Sequence, residues 1–157
     1  MMNKNKKRIC FCSSSGGHFE QLMMLRPLIE KYNSYIVTEK IRYNIKIADV
    51  PIKNVLAINR SDRGFVLKFL YNIIKSLIIV IGNRPDVIIS TGALAAVPMM
   101  IWTKIFGGKV IYIESFAKID NQTISGRIAY RFADQFYVQW ENMKRFYPKA
   151  LYKGGIY

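Results

Sequence analysis

The chain reads as an α/β domain built on a Rossmann-like parallel sheet, and three observations predict it. Short β-branched and apolar runs alternate with helix-length segments. The runs are continuously apolar rather than alternating in polarity, as strands covered on both faces are. The first run empties through small residues into a helix, the arrangement in which α/β domains hold ligands.

The first strand covers residues 8–12, Arg8-Ile9-Cys10-Phe11-Cys12, and leads into Ser13-Ser14-Ser15-Gly16-Gly17-His18. A helix follows over residues 18–31, kinked or restarted at Pro27, which lacks the N–H that a helix interior needs. Residues 34–38 and 54–58 read as short strands, and residues 63–82 carry a long helical pattern. Asp86-Val87-Ile88-Ile89-Ser90 is a buried strand, residues 92–106 a helix containing Pro98, and residues 109–113 another strand. Residues 123–133 predict a helix, residues 135–138 a strand, and residues 141–146 a short terminal helix. The 157 residues fit one domain spanning the whole chain, and no second domain.

Lys and Arg number 24 against 10 Asp and Glu, a net charge of +14, which points to nucleic acid, an anionic membrane surface or phosphorylated substrates. Nucleic acid is not an expected partner, because no helix-turn-helix, zinc-finger or RNP pattern is present and the basic residues are dispersed among apolar segments. Cys10 and Cys12 sit two apart on a strand, on one face and without the geometry for a bridge, which fits a reducing, cytosolic setting. His18 is the only histidine and no Cys/His set has ligand spacing, so neither a metal nor a cofactor is expected. The apolar run behind the basic residues 1–8 is too short for an export signal.

In a parallel sheet the ligand sits beyond the carboxyl ends of the strands. Three loops meet that edge: residues 13–18, Ser90-Thr91-Gly92-Ala93, and Glu114-Ser115-Phe116. The first is neither the dinucleotide fingerprint nor a P-loop, yet small residues at a helix N-terminus leave backbone N–H groups free for a phosphate. The same kind of turn also occurs in α/β proteins that bind nothing there. His18 is a candidate acid-base or diphosphate-binding group, or a satisfied loop histidine. Glu114 follows a strongly apolar strand, where a carboxylate either faces a cleft or caps the turn after its strand.

Between Phe65 and Ile81 stand 12 strongly apolar residues, with Lys68, Asn72, Lys75 and Ser76 along one narrow helical stripe. Insertion of those apolar residues is worth roughly −4 to −7 kcal/mol, and two lysines near the bilayer centre cost roughly +5 to +7. Spanning therefore breaks even at best. The helix either lies in the membrane interface with its lysines at headgroup level, or packs as a core helix with its polar stripe outward.

Ser14-Ser15-Gly16-Gly17-His18, Ser90-Thr91-Gly92, Ile113-Glu114-Ser115-Phe116-Ala117, Phe132-Ala133-Asp134, Val138-Gln139-Trp140 and Tyr152-Lys153-Gly154-Gly155-Ile156 occur in this order. Together they resemble the asparagine-linked glycosylation protein fourteen-like family, whose bacterial members include accessory subunits of capsule and exopolysaccharide glycosyltransferases. The resemblance implies the N-terminal half of a GT-B glycosyltransferase, the half that holds a lipid-linked acceptor, while a smaller partner chain carries the nucleotide-sugar site. It also implies a peripheral or monotopic location on the cytoplasmic face of the plasma membrane. The separate N-terminal membrane helix of the eukaryotic pattern is not expected here, so anchoring falls to residues 64–82, basic residues or the partner.

The reading that follows is an acceptor-side subunit of a transferase moving a hexose from a nucleotide sugar to an undecaprenyl-diphosphate-linked sugar. The resemblance assigns the acceptor diphosphate to Ser14, Ser15, Gly16, Gly17, Thr91 and Gly92, catalytic roles to His18 and Glu114, and partner docking to Gly154, Gly155, Ile156 and Tyr157. The alternative is a non-catalytic anchor that stabilises a transferase complete in its partner.

Overall fold

The computed structural model describes residues 7–40 and 50–157. In chain order the regular elements are β1 (Arg8–Ser13), α1 (Gly17–Met23), α2 (Arg26–Lys31), β2 (Asn33–Glu39), β3 (Ile52–Val55), α3 (Phe65–Asn83), β4 (Val87–Gly92), α4 (Val97–Ile105), β5 (Lys109–Ile113), α5 (Ile124–Ala129), β6 (Gln135–Val138) and β7 (Leu151–Tyr152). The strands form one sheet in the order β3-β2-β1-β4-β5-β6-β7, every neighbouring pair parallel. This is the Rossmann-like α/β architecture that the apolar runs predict.

The two-residue period of β1 divides the core. Cys10 and Cys12 point into the larger cluster, with Tyr35, Val37, Ile88, Met99, Met100 and Val110. Ile9 and Phe11 point the other way, to Phe19, Leu22, Ile29, Ile36, Ile89 and Ile113. Full burial of each such large side chain contributes about 1.5–3 kcal/mol. Burial pushes the Cys10 thiol up to about 12, and it raises the Cys12 thiol well above its ordinary value, with the nearby Cys10 and Glu39 adding to the effect. Both thiols are free.

Several boundaries differ from the sequence reading. The first helix is two helices, and Pro27 sits in the first turn of α2, where its missing N–H is harmless. The strand expected at residues 54–58 is β3, ending at Val55. Beyond it the Asn72 side chain takes both backbone groups of Leu56, accepting its N–H at 2.9 Å and donating to its carbonyl at 2.8 Å, so the chain leaves the sheet there. The helix expected over residues 123–133 stops at Ala129, with Thr123 as its N-cap accepting from Gly126 N–H at 2.8 Å. The terminal helix is a 3₁₀ segment, Glu141–Arg145, and the short edge strand β7 was not foreseen.

Helix α3 is turned the opposite way from a core helix with an outward polar stripe. Asn72 and Ser76 are fully buried, while Val66, Leu67, Leu70, Ile74, Ile78 and Ile81 are exposed, Leu67 to 74%. Its inner face is pinned by the Asn72 contacts with Leu56, by Arg8 donating to Asn83 Oδ1 at 3.0 Å, and by Trp102 Nε1–H donating to the Ile73 carbonyl at 3.0 Å. At 19 residues and mean hydropathy 1.9 the helix is long and apolar enough to cross a membrane. Ile105 and Phe106, at the end of α4, add exposed apolar surface, and Phe106 borders the same pocket as Ile81.

Asp134 ties three elements together at the opposite edge of the sheet from the candidate ligand loops. Its carboxylate pairs with Lys104 at 2.8 Å and Lys109 at 3.2 Å and accepts the Val110 N–H at 2.8 Å. Burial works against its charge, but the hydrogen bonds from Lys104, Val110 and Lys109 outweigh this and hold the carboxyl at about 2. A folded value below the ordinary 3.8 means that the charged form favours folding, fully above about pH 4 and progressively less toward pH 2. Asp134→Asn should therefore melt below the wild type at pH 7, with the two melting temperatures converging between pH 4 and pH 2 in thermal scans.

Candidate functional site

β1 and β4 are neighbours at the point where strand order reverses, and both end in a small-residue turn. Their register breaks between Cys12 and Ser13, bringing Ser13 opposite Gly92, and Ser14 N–H donates to the Gly92 carbonyl at 3.0 Å. Gly16 and Gly92 adopt φ of 73° and 100°, values that side-chain-bearing residues rarely take. A Cβ on Gly92 would lie 3.0 Å from His18 Cε1 and 3.2 Å from the Tyr112 hydroxyl, so glycine there lets the imidazole lie close over the strand end.

His18 is held from two sides. Its Nδ1 lies 2.7 Å from the Thr91 carbonyl, and its own carbonyl accepts the Thr91 hydroxyl at 2.7 Å. A carbonyl can only accept, so Nδ1 carries a proton and, in the neutral ring, Nε2 keeps its lone pair. The half-buried ring thus offers Nε2 as a base, or as a donor once protonated. Phe19 and Glu20 N–H both donate to the Gly16 carbonyl, whereas the N–H groups of Gly16, Gly17 and His18 have no acceptor among the described residues. Three open donors at a helix start can serve as an anion seat.

The other residues expected to hold a diphosphate have different work. Ser14 is buried and, among the described residues, its hydroxyl reaches only the Ser15 carbonyl, at 3.4 Å. Ser15 gives its N–H and its hydroxyl proton to Glu39 Oε2, at 3.1 and 2.7 Å. Thr91 is fully buried against His18, and Gly92 acts through its backbone shape. The groups left open toward a ligand among the described residues are those of Gly16, Gly17 and His18. The strained backbone is at Gly16; a Cβ on Gly17 would meet nothing.

Glu114 does not face a cleft. It is 1% exposed and its carboxylate accepts from Tyr147 OH at 2.6 Å, Thr123 Oγ1 at 2.8 Å and Ser115 N–H at 2.9 Å. Burial, followed by the adjacent Glu114, raises both the Tyr147 and the Tyr112 hydroxyls far above their ordinary value, which keeps Tyr147 a donor. As placed, Glu114 secures the N-terminus of α5, the cap reading of the sequence, and its expected cleft-facing role is corrected to one of positioning.

Glu39, Gln21, Tyr112 and Tyr147 escaped the sequence reading. Gln21 Oε1 accepts from Phe116 N–H at 3.2 Å and from Gln139 Nε2 at 3.0 Å, while Gln139 Oε1 accepts Ile156 N–H at 3.1 Å. The C-terminal tail is thereby folded onto its own domain. Tyr157 lies edge-on to Phe116 at 5.0 Å, and Phe116 packs on Trp140 at 4.8 Å. Residues 153–156 rim a cavity of about 290 Å³ over the face of β4, β5 and β6, with Leu25, Leu28, Ile89, Ile111 and Tyr137 on its wall. No cluster of three or more metal-ligating side chains exists among the described residues.

Comparison with known proteins agrees with this fold and names a family. The profile of the family described as "Oligosaccharide biosynthesis protein Alg14 like" matches residues 29–156. Among curated relatives, the mouse UDP-N-acetylglucosamine transferase subunit ALG14 is 32% identical over 95% of this chain and 82% of its own length. The rat protein of the same name is 34% identical over 63% of this chain, a match that spans about half of that relative (49%). Among solved structures, Acinetobacter baumannii MurG superposes with a TM-score of 0.70 at 14% identity, over 87% of this chain and 42% of that one. Rickettsia bellii UDP-N-acetylglucosamine 2-epimerase gives a TM-score of 0.75 at 12% identity, over 97% and 46%. At such identities these likenesses speak for the fold alone.

The Glu114 cluster leaves no room at Gly126, where a Cβ would run into Glu114 Oε2 and lie 2.6 Å from the Tyr147 hydroxyl. Gly126→Ala should lower stability by roughly 1–3 kcal/mol as the cluster shifts to make space. Chemical denaturation would read this, and an unchanged midpoint would show that α5 can slide without cost.

Proposed function

Because the chain belongs to the Alg14-like family of oligosaccharide-biosynthesis proteins, we propose that it is the acceptor-binding, membrane-associating subunit of a two-chain glycosyltransferase. The observation that carries this is the anion seat at the strand-order switch, three backbone N–H groups and an imidazole Nε2 that have no partner among the described residues. The seat would hold the diphosphate of a lipid-linked sugar, and a partner chain would bring the nucleotide sugar. The acceptor hydroxyl attacks the anomeric carbon, the bond to the nucleoside diphosphate breaks, and His18 Nε2 takes the hydroxyl proton. Holding both substrates across one cleft supplies proximity, a large part of such a rate. The relatives' names make UDP-N-acetylglucosamine the first donor to test in place of an unspecified hexose. An undecaprenyl carrier and a capsule or exopolysaccharide product remain the proposed setting.

The exposed stripe of α3 supports a position on the membrane surface. Its inner face is bonded to the domain through Asn72 to Leu56, Asn83 to Arg8 and the Ile73 carbonyl to Trp102, which favours a helix lying in the interface plane over one that leaves the fold to span. The +14 charge favours anionic lipid, as on a cytoplasmic leaflet. The tail, Gly154, Gly155, Ile156 and Tyr157, and the apolar cavity beside it are the proposed docking surface for the donor chain.

In a transfer assay of the assembled pair, His18→Ala should lower turnover on the order of 10²-fold or more, and removal of residues 154–157 should abolish both partner pull-down and transfer. Activity of the partner chain alone would instead favour a pure anchoring role. For the membrane surface, liposomes containing anionic lipid should carry the purified protein in flotation, less so at high salt. The Ile74→Glu, Ile78→Glu double variant should float poorly; wild-type flotation of that folded variant would remove α3 from the contact.

A further inference from the structure

The amino edge of the sheet, away from the candidate ligand loops, holds a cavity of about 560 Å³ between the starts of β1 and β2, the end of α2 and the segment entering β3. Arg8, Tyr35, Lys53 and Asn83 line it. Six buried side-chain polar atoms lack a partner among the described residues, and four of them are serine or threonine hydroxyls. The other two are Arg8 Nε and the hydroxyl of Tyr35, a residue 1% exposed, and both belong to this one cavity. A small hydroxyl can swing its proton toward whatever stands near, but a guanidinium N–H is fixed by its planar fork. Buried donors normally meet an acceptor, from the protein or from something bound to it.

The charge around these donors is unmatched as well. Arg8 gives a terminal N–H to the Asn83 side chain at 3.0 Å, and its guanidinium lies over the Tyr35 ring, 5.6 Å from the centroid. Neither Arg8 nor the half-buried Lys53 forms an ion pair among the described residues. Lys53 stands opposite Val37 in the register, so its side chain leaves β3 on the face that Tyr35 shares. Glu30, the one carboxylate of the lining, is paired to Arg26 at 2.6 Å, and Asp86, which accepts the Arg8 backbone N–H, lies outside the lining. Burial, with Cys10 next, raises the Tyr35 hydroxyl far above its ordinary value despite the Arg8 charge, so it enters as a donor. We propose that this cavity is a second binding site of the chain, specific for a phosphate group held by Arg8, the Tyr35 hydroxyl and Lys53. Ionised phosphate oxygens supply the acceptors these groups lack, and their charge answers that of the two cations. The site needs neither the acceptor loops nor a partner chain, and so stands apart from the transferase reading. Two sources carry this chemistry: the head group of an anionic lipid, since α3 ends beside the cavity at Asn83, and a soluble phosphate ester.

Calorimetric titration of the purified full chain with glycerol phosphate tests the site, and binding should saturate at one ligand per chain. Tyr35→Phe removes only the unpartnered hydroxyl. It should keep the wild-type melting temperature without ligand and raise the Kd about tenfold. Lys53→Gln should raise it by a similar factor of about ten. Absence of saturable binding to the wild type, or a Kd unaltered in both variants, overturns the site. A Tyr35→Phe protein that melts well below the wild type does so too, because the hydroxyl then has a structural partner. Flotation with phosphatidylcholine vesicles containing phosphatidylglycerol identifies the source. If a lipid head group fills the site, the lipid concentration needed for half-flotation rises in both variants. If half-flotation is unchanged in variants that bind glycerol phosphate weakly, the site stands and its ligand is a soluble ester. The Ile74→Glu, Ile78→Glu variant should retain the wild-type Kd for glycerol phosphate, which separates this site from the α3 contact.

Discussion

The reciprocal bonds between His18 and Thr91 are the constraint around which the candidate site is organised. One residue lies at the start of α1 and the other at the end of β4, and the two hydrogen bonds, both 2.7 Å, fix the helix start against the strand end. Because the carbonyl of Thr91 dictates which ring nitrogen is protonated, the same contact sets the geometry of the turn and the chemistry of the imidazole. The glycine at position 92 is what allows the ring to come this close.

Around that junction, charged and polar groups at strand ends act as braces. Glu39 ends β2 and Glu114 follows β5, and each carboxylate accepts from backbone and hydroxyl donors of a neighbouring loop. Buried carboxylates are tolerable when such donors surround them, and their removal would leave those donors unpaired. Gln21 and Gln139 extend the bracing to the C-terminal tail, so α1, the loop after β5 and the last residues of the chain share one hydrogen-bonded chain. α3 follows the same principle on the opposite face of β1, where buried Asn72 grips the exit of β3 and the oily side is left outward.

The sheet was legible in the sequence because strand periodicity and apolar runs are local signals. Cys10 and Cys12 do share a face, and the small-residue turns after β1 and β4 do meet. The division of labour within the turn was not legible. Ser15 and Glu39 are 24 positions apart, and Gln21 and Gln139 are 118 apart. Hydrogen bonds across such separations leave no periodic trace, and a serine beside two glycines looks like a ligand until its proton is accounted for. One signal was available: Glu39 ends an apolar strand as Glu114 follows one, and both positions place a carboxylate at the ligand-bearing edge. The two-residue strand β7 and the early exit of β3 depend on tertiary contacts that outweigh local preference.

The burial of the two thiols has a practical side. Alkylating and maleimide reagents attack the thiolate, and Cys10 and Cys12 are both inaccessible and held in the protonated form. The folded chain is consequently silent to thiol-directed probes, without any residue having to be replaced. A single cysteine introduced on the outer stripe of α3 or beside the tail would then be the sole point of fluorophore or spin-label attachment, turning each surface into a position where depth and distance can be read spectroscopically.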